Sequence, residues 1–83
     1  MMSLYLDDYL EDGMLREASF REKINKTDWS SYSNKHVLIQ GCTSAPVPTW
    51  AYLIITAELT RFTRRISYGE KRGSIRIYDH QDQ

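Results

Sequence analysis

The sequence has few of the residues that stabilise small domains through covalent or metal links. Its 83 residues include one cysteine and two histidines, which excludes an internal disulfide and leaves no Cys/His set for a metal. We therefore expect no metal and no cofactor. A chain of this size buries only about two-thirds of the surface that its unfolded form exposes, so its core is marginal. Association is the remaining source of stability, and we expect a homo-oligomer, with a dimer favoured.

Long apolar runs and a secretory signal are missing as well. The longest strongly apolar run, residues 50–55, is far too short to span a bilayer. The first residues, MMSLYLDDYLED, are acidic, whereas a secretory signal begins with basic residues that an apolar run follows. A lone thiol without a disulfide framework fits a reducing compartment. We expect one small cytoplasmic domain over residues 1–83, with a polar tail from about residue 80 and no membrane contact.

The formal net charge is zero, which disfavours nucleic acid as a partner, but the charges are unevenly distributed. Residues 1–20 are mainly acidic and residues 61–76 mainly basic. Three interpretations stay open: two solvated faces, pairing of the acidic end of one subunit with the basic end of another, or a surface at the basic end that binds an anion or nucleic acid. The basic residues concerned are Arg61, Arg64, Arg65, Lys71, Arg72 and Arg76.

The first third of the chain predicts one or two short helices. The spacing of Leu6, Tyr9 and Leu10 predicts a helix over residues 3–12, with a short strand as the alternative. The sequence Ser-Phe-Arg-Glu at 19–22 has the spacing of a capping box and predicts a helix over residues 20–26. Trp29 is too large to leave in water without a reason, and we expect it to close one end of the core.

The rest of the chain predicts a strand over residues 36–41, a helix over 48–62 and a hairpin of strands 64–68 and 74–79. The order strand, helix, strand requires a right-handed parallel crossover. The expected fold is α/β (α+β mixed), a small mixed sheet with a closing hairpin. The helix is apolar around more than one stripe, which one sheet face cannot easily bury. Its interface candidates are Trp50, Leu53, Ile54 and Phe62.

The loop GCTSAPVP joins the predicted strand to the predicted apolar helix. Ligands bind in open α/β sheets at this position, and a helix N-terminus lowers the pKa of a nearby thiol. The alternative is that Cys42 is a small buried hydrophobe and the loop only a tight connection. Cys42 is the one catalytic candidate, with no base or triad apparent. The residues that would hold a ligand or anion are Gly41, Cys42, Thr43, Ser44 and Thr49.

Several segments resemble a bacterial family known only as a domain of unknown function, number 2480. They are Arg16-Glu17 with Phe20-Arg21-Glu22, Asp28-Trp29-Ser30-x-Tyr32, Cys42, and the runs VLIQGC, PVP, PTWAY, AYLIITAEL, ISYGE and IRIYD. Longer members of the family imply that a homodimer of this single short unit would rebuild a two-unit body. Family genes near iron–sulfur assembly genes imply a role for Cys42 in accepting sulfur or holding a cluster component. One cysteine per subunit cannot supply a four-thiolate site.

Two functions follow from these observations. The favoured one is a non-enzymatic homodimeric binding or assembly module, and a protein partner besides the second copy stays open. The alternative is a thiol-dependent accessory factor that handles sulfur or iron–sulfur components through Cys42. A conventional hydrolase or transferase ranks last, because the chain lacks a histidine near the thiol, a phosphate loop of known spacing and a paired acidic site.

Overall fold

The computed structural model describes residues 2–41, 46–70 and 72–80. The strands are β1 (Met2–Tyr5), β2 (His36–Gln40), β3 (Arg65–Tyr68) and β4 (Ile75–Asp79). The helices are α1 (Glu17–Lys26) and α2 (Thr49–Leu59), with two single 3₁₀ turns at Leu6–Tyr9 and Trp29–Tyr32. The elements alternate as strand, helix, strand, helix and two strands, which is an α+β arrangement with the expected closing hairpin.

The strands lie in the sheet in the same order as in the chain, β1-β2-β3-β4. The first three are parallel and β4 is antiparallel to β3. Each parallel pair needs a helical crossover, which α1 and α2 supply. Crossovers of one hand, followed in one direction across a sheet, put both helices on the same side. In agreement, α1 and α2 contact each other and share one core.

The core lies between the helices and one face of the sheet. Val37 and Ile39 of β2 and Ile66 of β3 point into it, each 1% exposed or less. Helix α1 contributes Phe20, whose ring makes edge contacts with Tyr9 at 5.3 Å and Trp50 at 5.7 Å. The buried face of α2 consists of Ala51, Ile55 and Leu59. The opposite face of the sheet carries alternate residues of the strands, among them Leu38 and Ser67, which are both buried.

The helix predicted over residues 3–12 is wrong, and its alternative, a short strand, is what forms. Leu4 turns into the core from β1, which pairs with β2 from Met2 to Tyr5. The spacing that indicated a helix is real, because Leu6 and Tyr9 lie buried on one side of the 3₁₀ turn. That turn is not extended, since the chain then reverses at Asp12-Gly13, both with positive φ. Strand pairing outweighed a local periodicity of three residues.

The helix predicted over residues 20–26 begins earlier, and the capping box that predicted it does not form. Helix α1 starts at Glu17 with Arg16 at its N-cap, where no side-chain hydrogen bond is made. The Ser19 hydroxyl donates instead to the Arg16 carbonyl at 3.3 Å. Glu17 and Glu22 pair with Arg21 and Lys26 one turn further on. These pairs, and the burial of Phe20 and Ile24, account for a helix without a capping hydroxyl.

The predicted central strand, the closing hairpin and the burial of Trp29 are confirmed, whereas the helix predicted over residues 48–62 is shorter and ends at Leu59. Strand β2 is central, with three consecutive residues buried, and β3 and β4 form the antiparallel hairpin. Pro48 is the N-cap residue of α2, one position before its predicted place in the first turn. Trp29 is buried, and its Nε1 donates to the Ile24 carbonyl at 3.1 Å, so it closes the core below α1. In the part of the chain that the structure describes, no helix has the length and apolar character needed to cross a membrane.

Candidate functional site

An apolar groove runs between α2 and the β3–β4 hairpin, on the helix side of the sheet. Its volume is about 480 Å³. Two crossover helices cover three parallel strands, and β4, which is added as a hairpin, extends beyond the edge of α2. None of the described lining residues is charged. The groove is lined by Ile39, Tyr52, Leu53, Thr56, Ala57, Tyr68 and Ile77.

The walls of this groove expose large apolar side chains to water. Leu53 on α2 is 66% exposed, and Ile77 on β4 is 53% exposed. Ile75, at the start of β4, is 63% exposed. Scattered exposed leucines are ordinary on a protein surface, but a contiguous apolar groove marks a place where something binds.

Two tyrosines close one end of the groove. The rings of Tyr52 and Tyr68 meet edge to face, with centroids 4.9 Å apart, and the Tyr68 hydroxyl donates to that of Tyr52 at 3.4 Å. Gly41, just after β2, lies directly beneath the Tyr52 hydroxyl, because a Cβ at this position would come within 2.7 Å of it. The end of β2, the middle of α2 and the end of β3 are therefore joined at this end of the groove.

The four predicted interface residues lie in different environments. Leu53 points outward on the groove wall, whereas Trp50 packs on Phe20 of α1. Ile54 lines a second cleft between α1 and α2. Phe62 follows α2 and is half-buried against the core, with the Arg61 guanidinium 5.5 Å from its ring centroid. The surplus apolar surface of α2 is thus partly covered within the chain, and the groove carries the uncovered part.

The predicted loop site is only partly visible. Gly41 is packed under Tyr52, and Thr49 is the exposed first residue of α2. Cys42, Thr43 and Ser44 lie outside the described residues, so the thiol hypothesis stays a prediction. Among the described residues, no group of three or more His, Cys, Asp or Glu side chains is placed to hold a metal ion.

The predicted basic patch is divided between separate surfaces. Arg61 pairs with Glu58 at the end of α2, and Arg72 is exposed in the hairpin turn. Arg65 and Arg76 meet on the opposite face of the sheet, where both contact Asp79. Arg64 immediately precedes β3 and is exposed, while Lys71 lies outside the described residues. The acidic end also pairs within the chain, since Glu11 contacts Arg16 at 3.7 Å.

Sequence reasoning missed Ile77 and Tyr68 as parts of the site, and Ile75 as an exposed residue of the same strand. The signal was present, because β4 reads Ile-Arg-Ile and places two β-branched residues at alternate positions of a terminal hairpin. In a chain with two helices and four strands, the last strand has no helix to cover it. Because two helices leave a fourth strand uncovered, the sequence already predicts that these isoleucines are exposed.

The fold and the groove define a small α+β domain with an uncovered apolar surface beside its terminal hairpin. The chain matches, over residues 1–81, the model of the family described as a protein of unknown function (DUF2480). Because the match covers nearly the whole chain, the chain belongs to this family as a single unit. Searches of curated proteins and of solved structures find no match.

Proposed function

We propose that this protein is a homodimeric binding and assembly module without conventional catalytic machinery, and that two copies join through the groove between α2 and β4. The observation that carries the proposal is the exposure of Leu53 and Ile77 on opposite walls of one apolar hollow. Covering these side chains removes apolar surface from water at about 25 cal/mol per Å².

A second copy fits this surface better than a charged partner does. The surface has both a ridge, formed by Leu53, and a hollow beside it, as a two-fold interface requires of one self-complementary patch. The described lining residues carry no charge, so two identical patches meet without like-charge repulsion.

The exposed edge of β4 supports the same occupant. Strand β4 is at one end of the sheet, and its outer backbone groups are not used by another described strand. Unpaired strand edges attract other strands, and natural proteins cover, shorten or kink them. Here the pairing of β3 with β4 shifts register between Ile66 and Ser67, which bends the edge without covering the isoleucines beside it.

Molar mass in solution tests the proposal. Light scattering after size exclusion, at micromolar concentration, is expected to give twice the 9.8 kDa of the chain. Leu53→Asp and Ile77→Lys are expected to weaken the dimer by about tenfold or more, equivalent to 1.4 kcal/mol, because each places a charge in the joined grooves.

Met14→Lys is the matched control. Met14 is also apolar and 56% exposed, but it lies in the turn before α1, away from the groove. This variant is expected to keep the wild-type mass, and circular dichroism should show all three variants folded. A wild-type protein that stays at the mass of one chain would contradict the proposal, as would a folded Leu53→Asp variant that dimerises normally.

A further inference from the structure

A charged cluster lies on the face of the sheet away from the helices and the groove. The register of β2, β3 and β4 puts His36, Arg65 and Asp79 in one row across the strands. The neighbouring row contains Ser67 and Arg76. We call these five residues the sheet-face cluster. Ser67 is 4% exposed, so the cluster has a buried hydroxyl between two arginines and a histidine.

The positive charge of the cluster exceeds its negative charge. Arg65 Nη2 is 3.6 Å and Arg76 Nη1 is 3.5 Å from the same oxygen of Asp79, Oδ2. One carboxylate thus serves two guanidinium groups, at distances longer than the 2.7–2.9 Å of strong charged hydrogen bonds. The Nε of Arg65 is buried and has no hydrogen-bond acceptor among the described residues. A buried donor without an acceptor is unfavourable, and an oxyanion close to the guanidinium would offset that cost.

His36 lies at the edge of this excess charge. Its Nε2 is 3.0 Å from Ser67 Oγ. Burial, followed by the positive charges of Arg65 and Arg76, lowers the pKa of His36, and Asp79 opposes the shift. The imidazole is therefore neutral at pH 7, and with Ser67 it can offer a hydrogen-bond donor beside the two arginines.

We propose that the sheet-face cluster binds a phosphoryl oxyanion between Arg65 and Arg76, with Ser67 and His36 completing its hydrogen bonds. A phosphoryl group offers three acceptor oxygens and a charge of up to two, which matches the surplus positive charge of the cluster and the N–H groups of its two arginines. Arginine suits this role because its planar fork can bind two oxygens at once. The site is on the opposite face from the groove and does not depend on dimerisation.

Titration with inorganic phosphate, followed by the His36 imidazole signal in proton NMR, tests the proposal. Sodium chloride keeps the ionic strength constant, since free charges alone would screen the arginines. We expect a saturable change in the signal and an upward shift of the His36 pKa, because a bound anion offsets the charges of Arg65 and Arg76. The proposal would be overturned if phosphate changed the signal no more than sodium chloride does at the same ionic strength.

Charge-removing variants locate the site. Arg65→Gln and Arg76→Gln are each expected to raise the dissociation constant for inorganic phosphate about tenfold or more, equivalent to 1.4 kcal/mol. Arg76 is 60% exposed, so its variant should fold even if the Arg65 variant does not. Arg61→Gln is the matched control, because it removes the same charge from the end of α2. Equal weakening by Arg61→Gln would show a diffuse charge effect and no site.

A phosphate monoester distinguishes the two sources of such an anion. Glycerol 2-phosphate that binds more tightly than inorganic phosphate would assign the site to a phosphorylated molecule. Inorganic phosphate that binds as tightly or more tightly would assign it to the free anion. Binding of neither would contradict the proposal.

Discussion

At the scale of single residues, His36 shows how a side chain acquires its properties from strand register. The sequence places it at the start of a strand, directly before three apolar residues, which says nothing about its neighbours in space. Pairing of β2 with β3 puts it beside Arg65, and the hairpin then brings Arg76 and Asp79 to the same face. Its lowered pKa follows from this arrangement and has no counterpart in local sequence.

Stability should therefore depend on the protonation of His36. An unfolded histidine has a pKa of about 6.5, and the folded pKa lies below that value because burial and the two arginines disfavour the imidazolium. The unfolded state then binds more protons than the folded state. The contribution of His36 to the free energy of unfolding is therefore fully present above about pH 6.5 and is lost as the pH falls through the folded pKa.

Urea unfolding at pH 7.5 and at pH 5 measures this effect. The midpoint is expected to fall less on acidification in His36→Gln than in the wild type, because glutamine does not titrate. Carboxylates, which titrate at lower pH, contribute equally to the loss of stability in both proteins, so their effect cancels in the comparison. An identical loss in the two proteins would show that His36 does not contribute.

At the scale of elements, the sequence predicted correctly those helices and strands whose local pattern agrees with the way they pack. Three consecutive apolar residues in β2, an apolar helix after Pro48 and an alternating hairpin all have strong local patterns, and each formed. The first element did not follow its pattern, because Leu4 gains burial only by pairing beside β2. Ser19 likewise had a capping sequence, but the helix started at Glu17, where ion pairs and the burial of Phe20 support it.

The candidate site was only partly predictable for the same reason. Leu53 was foreseen because a helix that is apolar on all sides must expose some of its surface. Ile77 becomes a groove wall only when the hairpin extends beyond α2, and this depends on how many strands the two helices cover. The meeting of Arg65 and Arg76 at Asp79 depends on the register of β3 and β4, which local sequence does not encode.

The contact between Gly41, Tyr52 and Tyr68 links three elements and can be tested with a double-mutant cycle. Gly41→Ala is expected to destabilise the protein by about 1 kcal/mol, at the low end of overpacking costs, because the new methyl group meets only the Tyr52 hydroxyl, the far end of a side chain that can shift. In a Tyr52→Phe background the same substitution should cost less, since the obstructing oxygen is gone. Chemical denaturation of the four proteins gives the coupling energy. An equal loss of stability in both backgrounds would show that the Tyr52 hydroxyl is not the source of the strain.

At the scale of the whole molecule, the division of the sheet into two faces separates two proposed roles. The helix side holds the core and the apolar groove, while the opposite side holds the sheet-face cluster. The two faces carry different chemistry, one uncharged and one with a surplus of positive charge. A variant in one face should leave the other intact, so the dimer and the anion site can be examined independently.

Thermal stability should depend on protein concentration. Binding that is specific to the folded state raises the melting temperature, and for self-association the effect grows with concentration. We expect the melting temperature of the wild type, measured by calorimetry, to rise over a hundredfold range of concentration, and that of Leu53→Asp to rise less, because fewer of its chains are paired at the low end of the range. A wild-type melting temperature that does not change would argue against a dimer, independently of the measured mass.

The agreement between strand order in the sheet and strand order in the chain has a consequence for synthesis on the ribosome. Chains fold as they emerge, from the N-terminus onward, and here each new strand finds its partner already in place. Strand β4 is the last to pair, and it supplies Ile77 to the groove. The apolar groove is therefore completed after the core that supports it. A nascent chain without β4 does not yet expose the full groove to other nascent chains on the same messenger RNA.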